Sequence, residues 1–265
     1  MTIATNYQIS PSLLRSEIRN GKFKKPTSGF APGHIQTNVA ILPKKYAFDF
    51  LLFCQRNPKP CPIIEVLEPG KYEAQLTAPN SDIRSDVPLY RVYEHGILTQ
   101  ETNNITNIWT SDLVTFLLGC SFSFESALKN NGINLAHIKN NTNVSMYITN
   151  IPTSPAGMFS GPMVVSMRPI PNNKVIRSVQ VTSRFPEVHG APIHIGNPEL
   201  IGIDDIYAPH FGDAPELNPG DVPVFWACGV TPQAIAMNSK PSIMITHSPG
   251  HMFVTDKMDE DYSIL

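Results

Sequence analysis

The chain has 265 residues, 42% of them apolar and only 16% charged, with a formal net charge of −2. That length and apolar content allow one large domain or two smaller ones around a proper core. Near-neutral charge without a basic run excludes an electrostatic case for nucleic acid, and no stretch approaches the ~20 apolar residues of a membrane helix. The N-terminal MTIATNYQIS lacks the basic start and apolar centre of a secretory leader. Four cysteines (Cys54, Cys61, Cys120, Cys228) show no CxxC pair and no zinc spacing, as expected of reduced thiols in a cytoplasmic protein. The 25 prolines fall in short clusters, which suits ordered, proline-rich loops.

Ser10-Pro11 opens the first expected helix, with Leu13, Leu14 and Ile18 as its apolar face and Gly21 just past its end. A basic, turn-rich loop over 22–32 leads to the polar, glycine-bearing stretch Gly33-His34-Ile-Gln36-Thr-Asn38. Such a stretch suits a loop that approaches a ligand, and equally a plain turn. Residues 43–57 predict a helix. Ala47, Phe50, Leu51 and Cys54 make one face, and Phe48, Leu52 and Phe53 widen it until most of the helix is buried. Prolines 58, 60 and 62 end it, and 63–67 follows as a short buried strand.

Residues 89–96 alternate like a strand with one wet face. Over 109–131, Leu113, Leu117, Cys120 and Phe124 recur at helical spacing, Ser111 can cap and Gly132 can terminate, so a long helix is expected. Two strands are expected at 144–149 and 163–167. The stretch 172–184 suits a helix or a β-branched strand, and the asparagines before it favour helix. The fold class is therefore α/β: an α/β core formed by 1–75 and 176–265, with a smaller α+β domain inserted at 76–175.

Residues 221–256 carry the densest set of candidate site residues. An apolar run at 222–228 reads as a buried strand, Gly229 permits a turn, Thr231 can cap a short helix with Pro232 in its first turn, and 242–246 is a second strand. If the two strands are parallel and joined by a right-handed crossover, both following loops emerge at the sheet edge where α/β folds bind ligands. Cys228, Thr231, Gln233, His247, His251 and Asp256 would converge there, the plainer alternative being turn and packing residues.

The segments PGHIQTN, YAFDFLLFCQRNPKPCP, TSRFPEVHGAPIHIG, FWACGVTPQ and THSPGHMFVTD resemble the bacterial "putative hydro-lyase" family, which includes the D-glutamate cyclase domain of animal mitochondria. The resemblance runs from about Ser28 to Asp256. It implies a two-domain α/β structure, a three-layer α/β core with an inserted smaller two-layer α+β domain, and the cyclisation of D-glutamate to 5-oxo-D-proline with loss of water. His34 stands where the family pattern leads one to expect an aromatic residue, and Asn197 where it leads one to expect aspartate, which puts the preferred substrate charge in question.

Closing a lactam requires an amine freed of protons, an activated carboxylate and a leaving oxygen that departs protonated; histidine is the natural proton carrier near pH 7. Six of the eight histidines (His34, His189, His194, His210, His247, His251) lie in the motif-like loops. Catalytic roles are expected for His247, His251 and His189, with Asp256 orienting His251. Cys228 is a candidate nucleophile, since a position before a helix N-terminus lowers a thiol's pKa, but direct cyclisation is favoured over an acyl-enzyme. Arg168 and Arg184 are expected to grip carboxylates, and the backbone of Gly229 and Thr231 to receive a second anion. His34, Gln36, Asn38, Gln233 and His194 complete the expected substrate contacts.

No cofactor is expected. A divalent ion on His189 and His194 with Asp213, His247 or His251 is the minority reading, because no HExxH or other tight metal motif is present. The expected partner is a small amino-acid substrate, without nucleic acid or membrane, and homo-oligomerisation is left open. A non-catalytic binder of small carboxylates such as 5-oxoproline or glutamate is the competing reading; it would use the same arginines but have no need of paired histidines.

Overall fold

The structure is a computed structural model that describes residues 8–264. The reading of the extreme N-terminus bears on residues 1–7, outside the described residues. Helices and two sheets place the chain in the α/β class.

Helix α1 (Pro11–Arg19) starts as its sequence directs. Ser10 Oγ accepts the Leu13 N–H at 3.4 Å, Pro11 occupies the first turn, and Leu14 and Ile18 are buried while Leu13 is exposed. The larger sheet is organised about β1 (His34–Pro43), whose residues after His34 are all buried. Strand β5 (Leu113–Gly119) runs antiparallel along one edge of β1, from Thr37 opposite Gly119 to Pro43 opposite Leu113. The other edge is shared: β11 (Phe253–Met258) pairs with the first half of β1, and β10 (Met244–His247) pairs with Ala40 and Ile41. Strand β2 (Ile63–Val66) lies outside β5, while β3 (Tyr90–Glu94) and β4 (Ile97–Thr102) extend the sheet beyond β10. The smaller sheet has the order β6 (Ser145–Pro152), β7 (Pro162–Pro171), β9 (Asp221–Ala227), β8 (His194–Ile195).

Every ladder is antiparallel. Strands β9 and β10, expected to lie parallel in one sheet, belong to different sheets. The short helix between them, α6 (Thr231–Ser239), is buried over its first six residues and bridges the two sheets. The shared carboxyl edge expected from the sequence therefore does not form. The span 76–175 is likewise divided: 90–119 pairs into the large sheet beside β1, and 145–171 into the small one.

The long helix expected over 109–131 is instead β5, a 3-10 turn at Ser121–Phe124 and the short α3 (Glu125–Asn130). The cause is visible in the packing. Val114, Phe116 and Leu118 enter one core cluster, whereas Leu113 and Leu117 enter another on the opposite face of the sheet. A strand apolar on both faces carries no period to tell it from a buried helix. The segment 253–258, read as loop, is β11 for the same reason of context: β1 offers it an edge.

Helix α2 (Lys44–Arg56) forms as expected but is not mostly buried. Phe50, Phe53 and Cys54 face the core, while Phe48 is 73% exposed. Phe50 meets Phe116 and Phe159 edge-to-face at 4.9 and 5.2 Å. Each such ring, fully buried, contributes roughly 2–3 kcal/mol. The helices α4 (Ala136–Asn140) and α5 (Val175–Ser183) complete the chain. No helix among the described residues is long and apolar enough to cross a membrane.

Candidate active site

On the edge of β1 away from β5, strands β10 and β11 leave Asn38 and Val39 without a strand partner, and the side chain of His247 fills the gap. Its Nδ1 accepts the Val39 N–H at 3.1 Å; the Val39 carbonyl, at 3.5 Å, is the weaker contact. That bond places the imidazole proton on Nε2, which is buried without a hydrogen-bond partner among the described residues. Burial pulls the His247 pKa down to about 3. The ring is a neutral donor at pH 7, not the general base expected from the sequence.

His189 sits in a left-handed conformation (φ 84°) after a 3-10 turn at Pro186–Val188, with Nδ1 2.7 Å from the Lys59 carbonyl. Nδ1 therefore carries the proton, and burial pulls its pKa to about 4. His251 is half-buried, its Nδ1 3.0 Å from the Pro249 carbonyl, and burial lowers its pKa as well. Asp256 does not orient it: the carboxylate is gripped in two places by Arg15 of α1 at 2.9 and 3.0 Å.

Cys228 is buried, and burial pushes its thiol up to about 11, overriding any helix effect. Thr231 does not cap α6. The capping position is Val230, and Thr231 Oγ1 donates to the Cys228 carbonyl and accepts the Val164 N–H. The Thr231 and Gln233 N–H groups are taken by the Cys228 and Val230 carbonyls, so they do not face an anion. Gln233 donates to the His247 carbonyl at 2.7 Å. Asn38 donates to the Gly119 carbonyl at 2.6 Å and lies against Gly229, where any Cβ would overlap it. These residues knit the two sheets together.

Of the expected anion grips, Arg184 is exposed at the end of α5. Arg168, 1% exposed, is committed to Glu125: its Nη2 and Nε reach Glu125 Oε1 at 2.6 and 3.2 Å. Its guanidinium also donates to Ser166 and Ser121 and lies 5.4 and 5.6 Å from the rings of Phe124 and Trp226. His194 Nε2 contacts the Asn197 carbonyl, and Asn197 Oδ1 accepts the Glu199 N–H in the following 3-10 turn. Asp213 accepts the Asn143 N–H. Among the described residues no three His, Cys, Asp or Glu side chains gather as a metal site, so His189, His194 and Asp213 stand apart.

What the structure does gather is a cleft of about 530 Å³, within the ordinary range for a small-molecule site. One wall is the segment from Gly29 to Gln36, including His34; the other is Phe122, Glu125, Ser126 and Lys129. The walls are stitched by Ser123 Oγ accepting the Gln36 N–H at 3.1 Å and Ser126 Oγ accepting the Gly33 N–H at 3.3 Å. Glu125 forms the floor, its Oε1 also 2.9 Å from His137 Nε2 and its Oε2 accepting Ser28 Oγ at 3.1 Å. Burial alone would raise the Glu125 pKa, but His137 and Arg168 outweigh it and hold the carboxylate below its usual range. Glu125 and His137 escaped the sequence reading. A lone glutamate inside an expected amphipathic helix carries no signal, and His137 lies outside the motif-like loops.

The residues 114–256, which span β5, Glu125, Arg168 and all of the smaller sheet, match the family model described as D-glutamate cyclase. The chain is 62% identical over 251 residues to a protein of Geobacillus kaustophilus named "Putative hydro-lyase", the match covering 95% of each chain. A protein of the same name from Stutzerimonas stutzeri is 56% identical over the whole of both chains, and one from Bacillus subtilis is 59% identical over 97% of this chain and 100% of its own. A nitrogen repressor-like protein of Methanococcus jannaschii overlaps 92% of this chain and 97% of its own at 11% identity, with a TM-score of 0.40 too low to bear on the fold. Over full-length relatives of this identity, and with more than half its residues inside the family match, the chain belongs to the D-glutamate cyclase family.

Proposed function

We propose that the protein is a hydro-lyase that closes D-glutamate into 5-oxo-D-proline and releases water. The observation that carries this reading is the overlap between the family match and the cleft: the matched residues supply its floor and the Glu125 wall. The reaction balances without a further reagent. The ammonium loses two protons, its nitrogen bonds the side-chain carboxyl carbon, and one carboxyl oxygen leaves with those two protons as water.

His34 is the histidine that lines the cleft. Its Nδ1 lies 3.3 Å from the Pro32 carbonyl, leaving Nε2 to move protons from nitrogen to the leaving oxygen. Glu125, kept ionised by Arg168 and His137, is a fixed charge and a poor base. Lys129 on the wall suits a substrate carboxylate.

Proton NMR of the purified protein with D-glutamate, L-glutamate and 5-oxoproline, each with EDTA or with added manganese, tests the reading. Stereospecific appearance of 5-oxo-D-proline, reduced roughly 100-fold or more in His34→Ala, is the expected result. Line broadening without turnover would favour the small-carboxylate binder. No turnover and no binding would remove glutamate from consideration, and the EDTA arm reads out any need for a metal.

A further inference from the structure

We infer that the cleft is a receptor for a primary ammonium, held between Gln36 Oε1 and Glu125 Oε2, with Lys129 taking a carboxylate of the same ligand. The assignment rests on reading this cleft as the substrate site.

Gln36 is 3% exposed, and both hydrogens of its amide are spent on carbonyls: Nε2 lies 3.1 Å from the Thr27 carbonyl and 3.1 Å from that of Phe30. Turning the amide over would set oxygen against oxygen twice, so its orientation is decided by its neighbours. The oxygen that remains, Oε1, is buried and has no hydrogen-bond partner among the described residues. A buried acceptor of that kind calls for a donor.

Glu125, on the same cleft, has spare capacity as well. Arg168 and His137 both bond Oε1, whereas Oε2 has, among the described residues, the Ser28 hydroxyl. The two acceptors are clamped from one dipeptide: the Thr27 carbonyl holds the Gln36 amide, and the Ser28 hydroxyl holds Glu125. Both residues line the cleft.

A pair consisting of one ionised and one neutral acceptor is complementary to a group that only donates. An alkylammonium carries three N–H donors, no acceptor and a positive charge. Hydroxyls and amides bring an acceptor that this corner does not serve. Lys129 stands four residues beyond Glu125 on α3, hence on the same helix face, and supplies the opposite charge one turn away. Phe122 and Ile138 wall the space between with apolar surface. The pattern of anion, apolar wall and cation fits a zwitterionic amino acid, not a dicarboxylate that lacks the ammonium.

Calorimetric titration with D-glutamate and with glutarate, which keeps both carboxylates and lacks the ammonium, tests the assignment on the unaltered protein. D-Glutamate is expected to bind about 30-fold more tightly than glutarate, as charge-assisted hydrogen bonds of this kind provide. Gln36→Leu should cut that preference about tenfold, and Lys129→Met should weaken both ligands alike while the preference stands. Equal affinity for the two ligands, binding of neither at millimolar concentration, or a ratio unmoved by Gln36→Leu in a folded variant would overturn the receptor. D-Glutamate turnover with an unmoved ratio would leave the cyclase reading standing without it. A Gln36-dependent preference for the ammonium without turnover would do the reverse.

Discussion

Arg168 and Glu125 face each other with almost no solvent, and His137 and Arg168 together keep the Glu125 carboxylate ionised against its burial. Removing one partner of such a pair leaves an unpaired buried charge, typically at about 3–5 kcal/mol. Arg168→Met is therefore expected to lower unfolding free energy by about 3 kcal/mol or more in urea titration. The double variant with Glu125→Leu should lose clearly less than the sum of the two single changes. The buried histidines set the acid limit. His189 and His247 have folded pKa values of about 4 and about 3 against an ordinary 6.5, so as pH falls the unfolded chain takes up protons first. Their contribution is whole above pH 6.5 and is lost as pH falls through that value towards 4 and 3, on the order of several kcal/mol in all. Glu125, held low, acts in the same direction at still lower pH. Urea midpoints at pH 7, 5.5 and 4.5 should fall steeply, and a flat profile would refute the assigned protonation states. Cys228, with its thiol pushed up to about 11, is not a thiolate at pH 7. Cys228→Ser is expected to keep more than half the turnover.

At the scale of elements, the decisive feature is how closely β1 meets the loops around it. A Cβ on Gly119, at the end of β5, would overlap the Glu187 carbonyl oxygen, and one on Gly229 would overlap the Asn38 amide. Neither glycine has the positive φ that usually demands this residue; what demands it is close approach. Gly229→Ala must displace Asn38 and break its 2.6 Å bond to the Gly119 carbonyl, which is expected to cost roughly 2–3 kcal/mol. In an Asn38→Ala background the same change should cost far less, because the clash is gone. A double-mutant cycle by chemical denaturation measures this coupling, and additivity would show that Gly229 answers to some other contact. Helices α1 and α2 were legible from an apolar face and local punctuation, Ser10-Pro11 before α1 and the prolines after α2, whereas α5, which has no side-chain cap, could also be read as a β-branched strand. Strand β5 was not legible, since its two-sided burial erases the period that distinguishes strand from helix.

Across the whole molecule, ligand and fold should be linked by mass action. If D-glutamate occupies the cleft, a concentration 100 times its dissociation constant stabilises the native state by about 2.7 kcal/mol. For a chain of this size that is a rise in melting temperature of roughly 5–10 °C, measurable by calorimetry. Glutarate at the same concentration should move it far less. The site itself was only partly legible. Sequence proximity singled out His34 and Gln36, which do line the cleft, but it also gathered Cys228, Gln233 and His247: Cys228 is packed in the core, Gln233 holds the His247 carbonyl and His247 holds the Val39 N–H. Glu125 was invisible because its importance lies in Arg168, 43 residues away along the chain.

Composition, the start of α1, the end of α2 and the run of family-like segments were settled by the chain alone, because each rests on residues near one another in sequence. Local chemistry is enough to cap α1 at Ser10 or to end α2 before its prolines. Strand partners, protonation states and the cleft were decided only by the tertiary structure. They depend on which distant backbone supplies a hydrogen-bond edge and which distant charge survives burial, and neither leaves a trace in the spacing of residues.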